Sequence, residues 1–81
     1  MLRPSEVKVI LCFEDKETLT ANEIFMATDM MKSTIYDALR DLEQKGMVEV
    51  ATLSPKKAWR LTEKGRRCLQ WLLEGREKNC L

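Results

Sequence analysis

Within nine consecutive positions the chain carries Lys32, Ser33, Thr34, Tyr36, Asp37 and Arg40. Two cations, three hydroxyls and one carboxylate in so short a segment read by themselves as the solvent face of a surface helix, and suit the recognition of a polyanion where a fold presents them together. Ammonium and hydroxyl groups hold phosphate oxygens, and a guanidinium pairs with guanine or with backbone. Tyr36 can reach a phosphate or a thymine methyl, and Asp37 can accept from a cytosine amino group. A second basic cluster follows at Lys56, Lys57 and Arg60, where the two lysines complete the turn Ser54-Pro55-Lys56-Lys57. Asp37, Asp41 and Glu43 oppose this chemistry unless they pair internally, and helical spacing offers Asp37 with Arg40 and Asp41 with Lys45.

Other chemistries have no material here. The chain has no histidine, no glycine-rich phosphate loop and no nucleophile elbow, so an enzyme is not expected. Cys12, Cys68 and Cys80 include no Cys-x-x-Cys pair, so neither a zinc site nor another metal or cofactor is expected. An odd cysteine number in a chain of this kind reads as free thiols, with an intermolecular disulfide through Cys80 as the sharper alternative. No apolar run reaches the length of a membrane span, and the first residues do not read as a signal peptide, so a cytoplasmic location is expected.

The elements that must position these residues follow from patterning. With 81 residues, the chain is expected to form one domain, 1–81, with a core near the lower limit of self-sufficiency. Its charge is uneven: residues 1–28 carry three basic and five acidic groups, residues 46–81 eight and four. The basic half points to an anionic partner. Ser5 is read as the cap of a first helix over about 5–15, whose stripes Val7, Ile10, Leu11 and Val9, Cys12, Phe13 make it apolar on two sides. Thr20-Ala21-Asn22-Glu23 is a capping box opening a second helix over about 21–28, with Ile24 and Ala27 facing inward.

Ile35, Ala38, Leu39 and Leu42 form one stripe of a third helix over 32–45, which turns Lys32, Ser33, Tyr36, Asp37 and Arg40 outward. Gly46 supplies the left-handed residue that closes it. Residues 47–61 read as a β-hairpin with Trp59 and Leu61 on one face and Arg60 on the other. Thr62 caps a last helix running to about Lys78.

Three stretches in this order carry a resemblance. Leu19-Thr20-Ala21-Asn22-Glu23-Ile24, the run from Lys32-Ser33-Thr34-Ile35-Tyr36 to Lys45-Gly46-Met47-Val48, and Trp59-Arg60-Leu61-Thr62-Glu63-Lys64-Gly65 resemble winged helix-turn-helix regulators of the MarR, PadR and ArsR type. Asp29, Met30 and Met31 depart from the usual glycine, leucine and serine of the turn, which weakens the cap of the third helix. The resemblance implies an α+β, mostly α winged helix-turn-helix: helix, short strand, helix, helix, β-hairpin wing, C-terminal helix. The helix-turn-helix would span about 21–46, the wing about 47–61 and a dimerisation helix about 62–78.

The function implied is sequence-specific binding of double-stranded DNA by a small homodimeric transcription regulator. Its recognition helix would enter the major groove, and its wing would lie on the backbone or in the minor groove. The dimer interface is expected from Val9, Cys12, Phe13, Cys68, Leu69, Trp71, Leu72 and Leu73. Z-DNA-binding winged helices also carry a tryptophan on this strand, paired with a recognition-helix asparagine and tyrosine. Tyr36 and Arg40 occupy those positions here, so Trp59 reads as core under the wing. Two other readings stay open: a winged helix that docks protein, drawing apolar surface from Met30, Met31 and Met47, and a DNA-binding regulator modulated through its thiols.

Overall fold

The computed structural model describes residues 1–80. Helix α1 (Pro4–Leu11) starts one residue before the anticipated Ser5 cap, because Pro4 takes the first helical position and the Arg3 amide donates to Glu6 Oε1 at 2.8 Å. It also stops earlier than expected. Cys12 donates to both Lys8 and Val9, and Phe13 to Ile10, tightening the chain into a turn. Strand β1 (Leu19–Thr20) leads into α2 (Ala21–Ala27), where the Thr20–Glu23 capping box forms in both directions. Ile24 faces the core, whereas Ala27, expected inside, is exposed with Phe25 and Met26.

Helix α3 (Lys32–Gln44) buries the anticipated stripe Ile35, Ala38, Leu39 and Leu42 completely or nearly so. Gly46, at φ +76°, ends it: Met47 donates back to Leu42 and Gly46 to Glu43, a Schellman closure. Strands β2 (Val48–Thr52) and β3 (Ala58–Leu61) form the hairpin, and β1 adds to β3, giving the antiparallel order β1-β3-β2. Leu19 and Val50 flank Trp59 in register, and the irregularity after Val50 bends the hairpin toward its tip.

Helix α4 (Glu63–Leu73) is sewn to the end of α3. The Thr62 hydroxyl donates to the Gly46 carbonyl and accepts from the Gly65 amide, while the Thr62 amide donates to Met47. Gly65 is required there, because a Cβ would run into the Met47 carbonyl oxygen. Lys64 Nζ reaches the Lys45 carbonyl at 2.8 Å.

The last helix does not continue to Lys78. Gly75, at φ +75°, repeats the Schellman closure with Arg76 donating to Trp71, and a short 3-10 helix, Glu77–Cys80, folds back onto α4. Cys80 is held there by a disulfide to Cys68 within the same chain. This corrects both readings of the cysteines: Cys68 and Cys80 are not free, and Cys80 is not left for a second chain. The reversal at Gly75 brings the two sulfurs together.

The core gathers Val9, Ile10, Phe13, Ile24, Ile35, Leu39, Leu42, Met47 and Val48 between α1, α2, α3 and the sheet. One carboxylate lies inside it. Glu6 has no exposed surface and binds Lys45 Nζ through both oxygens, at 3.0 and 3.1 Å. Lys45 is therefore not the partner of Asp41, which pairs with Arg3 at 2.6 Å. Among the described residues no helix is long and apolar enough to cross a membrane.

Candidate nucleic-acid interface

The inward stripe of α3 decides what its other face presents. Lys32, Ser33, Tyr36, Asp37 and Arg40 are exposed, and Thr34 is half-buried on the flank. Met31, the N-cap, makes no side-chain cap, so the first turn of α3 is left without one. Lys32 Nζ stands 5.5 Å from the centre of the Phe25 ring, a cation–π contact that steadies it beside α2. Asp37 and Arg40 pair at 3.1 Å, as their spacing suggests. That pairing removes part of the repulsion the carboxylate would exert on phosphate.

The wing lies against this face. Its tip residues Lys56 and Lys57 share one groove, about 500 Å³, with Lys32, Tyr36, Thr20, Ala21 and Asn22. A smaller groove of about 150 Å³ runs between Tyr36, Leu39, Arg40 and Glu43 of α3 and Lys57 and Trp59 of the wing. Tyr36 and Lys57 border both. Trp59 is buried, as expected of a residue under the wing, but it also meets the outer face of α3: its ring makes a T-shaped contact with Tyr36 at 6.1 Å, and Lys57 Nζ caps it at 5.2 Å.

Two sets of expected residues separate from this surface. Arg60 points from the other face of the hairpin, pairs with Glu49 opposite it at 2.8 Å, and borders a cleft with Glu14, Asp15, Lys16, Glu17 and Arg66. The alternation of a strand puts it there, since Trp59 and Leu61 face inward. Of the interface residues, Val9, Phe13, Cys68 and Leu69 are buried in the chain's own core. In so small a chain both sides of α1 are consumed by α3 and α4. Of the apolar residues on α1 and α4, Leu11 and Leu73 stay exposed, and Cys12, Trp71 and Leu72 are half-buried. Met30 and Met47 are likewise core, leaving only Met31 of the three methionines exposed.

Sequence reasoning read Asn22 only as part of a cap. The pairing of β1 with β3 carries it to the wing tip, and no local signal announces that. Cys12 is the free cysteine, and partial burial raises its thiol pKa above the usual value. Cys68 is oxidised, so it offers no thiolate, and the arginines beside it in sequence, Arg66 and Arg67, bind the Phe13 and Lys16 carbonyls and Glu63.

Solved structures and sequences place this arrangement in context. BpsR of Bordetella bronchiseptica, described for the regulation of its DNA binding by 6-hydroxynicotinic acid, superposes with a TM-score of 0.81 at 17% identity. The match covers 98% of this chain and 61% of that one. F-93 of SSV1 superposes with a TM-score of 0.69 at 25% identity, over 98% of this chain and 99% of that one. Both establish the winged-helix fold. The phenylalanine–tRNA ligase alpha subunit of Metallosphaera sedula is 32% identical over 66 residues. Those residues are 82% of this chain but only 14% of that subunit. Residues 2–63 match the family model of the sugar-specific transcriptional regulator TrmB, and the chain belongs to the TrmB family.

Proposed function

We propose that this chain binds double-stranded DNA sequence-specifically as a homodimeric transcription regulator and docks as winged helices of the MarR, PadR and ArsR type do. Helix α3 enters the major groove, and the wing tip follows the backbone or the adjacent minor groove. The observation that carries this reading is the junction of the exposed α3 face with Lys56 and Lys57 in one continuous cationic surface. The TrmB family assignment supports the regulatory role, and with it action inside the cell where the DNA lies. Lys32, Ser33 and Thr34 serve phosphates at the start of α3, Tyr36, Asp37 and Arg40 face the bases, and Lys56 and Lys57 hold the backbone.

Arg60 takes a secondary part, because its ion pair with Glu49 faces away from α3. In the dimer, Leu11, Cys12, Trp71, Leu72 and Leu73 meet their two-fold mates, and the two α3 helices address half-sites about one helical turn apart. The chain acts as one winged-helix domain, with the disulfide-closed 3-10 helix, Glu77–Cys80, as part of the dimerisation element.

Titration of random and genomic duplexes at two salt concentrations tests the reading. Wild-type affinity should fall steeply with salt, and Lys56→Ala/Lys57→Ala should flatten that slope by about 0.9 per lost phosphate contact. Arg40→Ala should weaken specific duplexes more than random ones. Absence of any duplex binding at low salt would end the DNA reading. Sizing under reducing and non-reducing conditions tests the dimer.

A second reading has one observation in its favour. Phe25, Met26 and Met31 leave apolar side chains exposed beside the start of α3, a surface on which protein could dock. A partner retained without DNA and lost in Met26→Ser would favour it.

A further inference from the structure

Trp59 Nε1 is the buried side-chain polar atom that finds no partner among the described residues. The acceptors near it do not serve it: Asp37 is taken by Arg40, and Glu43, which lines the same groove, makes no hydrogen bond to the indole. A buried donor left open in a native structure needs a physical account, and an acceptor that arrives from outside the chain is one. Trp59 is 3% exposed, and it forms one wall of the smaller groove between α3 and the wing. The cover over its ring is Lys57, an exposed lysine at the hairpin tip whose ammonium is held by the ring's face rather than by a carboxylate. Such a cover is free to swing toward an arriving anion.

We propose that this groove is a seat for one backbone phosphate of the bound duplex, in which a non-bridging oxygen accepts from the Trp59 indole N–H. Lys57 and Arg40 supply the charge, and Tyr36 steadies the indole through its T-shaped ring contact. The volume, about 150 Å³, has room for a single phosphate group. Glu43 is the opposing element, a carboxylate at the rim that weakens the seat and sets its strength. The inference rests on the DNA reading and adds to it a neutral donor that packs as core in the free protein.

The test uses the full chain labelled with ¹⁵N at its two tryptophan indoles, Trp59 and Trp71, with the resonances assigned through Trp59→Phe. On titration with a bound duplex, the Trp59 indole proton should move downfield and exchange more slowly, while Trp71 stays in place. Trp59→Phe should lose about tenfold in affinity, the scale of one hydrogen bond to a charged group, with an unchanged salt slope because no charge is removed. Lys57→Ala should change the slope. Glu43→Gln should tighten binding several-fold more than Glu74→Gln, a control at the end of α4 away from the groove.

Duplex binding with an unmoved Trp59 resonance overturns the proposal, and so does equal tightening by the two glutamine variants. If Trp59→Phe does not fold, the wild-type resonance and the Glu43 comparison still decide. If no duplex binds at low salt, the DNA reading itself has failed and the proposal falls with it. That outcome is read from the binding curve before any resonance is followed.

Discussion

Lys45→Met isolates the one charge that the fold holds inside. Glu6 has no exposed surface, and Lys45 supplies both of its closest charged contacts, at 3.0 and 3.1 Å. Breaking a buried pair by removing one partner costs about 3–5 kcal/mol, because the other charge stays buried without compensation. Two features reduce that figure here. The Lys45 side chain is 35% exposed, so solvent already screens part of the pair, and Glu6 keeps the Arg3 amide at 2.8 Å. The expected loss is therefore about 2–3 kcal/mol, or a fall in Tm of roughly 10–20 °C in a domain of this size. Glu6→Gln keeps the acceptor for Arg3 and lets Lys45 turn to water, so it should cost about 1 kcal/mol.

The double variant should recover part of the Lys45→Met loss, giving a coupling of about 1–2 kcal/mol. The assay is urea unfolding followed by far-UV circular dichroism, with the disulfide intact and protein concentration held fixed because association contributes to stability. If Lys45→Met stays within about 0.5 kcal/mol of wild type, or the double variant is no more stable than Lys45→Met, the reasoning about Glu6 is wrong.

Other perturbations follow from the same contacts. Gly65→Ala forces a Cβ onto the Met47 carbonyl and should cost about 3 kcal/mol or more in thermal melts. Thr62→Ala, which loses only a cap, should cost about 1–2 kcal/mol. Reduction of the Cys68–Cys80 disulfide releases a short loop and should lower stability by up to about 3 kcal/mol, read as the Tm difference with and without dithiol. Burial raises the Cys12 thiol pKa, so its alkylation should be slower than that of free cysteine and accelerate only at higher pH. Its stabilising share is present below the unfolded thiol pKa and lost as pH rises through the folded one.

Glu23 is shifted the other way, its carboxyl lowered first by the Thr20 amide and then by the Thr20 hydroxyl. The capping contribution should be present above the ordinary carboxylate range and fade as pH falls through the lowered value. NMR titration should show the shift shrink in Thr20→Val.

What the sequence determined by itself was local. The stripe Ile35, Ala38, Leu39 and Leu42 specifies both the core face of α3 and, by exclusion, the exposed face with Tyr36 and Arg40. The Thr20 and Thr62 caps and the Gly46 closure are written in residues no more than a turn apart. Apolar patterning also marked α1 as buried on two sides, but it could not say by what. Only packing decided that α3 and α4 take both, which removes Val9 and Phe13 from any dimer surface.

The remaining decisions required distant segments to meet. Helical spacing offered Lys45 only Asp41, but the approach of α1 assigned it Glu6, 39 residues away, while Asp41 went to Arg3. The reversal at Gly75 joined Cys80 to Cys68, where periodicity alone had carried the helix onward. Pairing of β1 with β3 brought Asn22 and Lys56 to one groove, and strand alternation turned Arg60 away from it. Helical and strand periods are properties of a few neighbouring residues, so a sequence displays them. Which two faces touch depends on the whole chain closing around one small core, and that appears only in three dimensions.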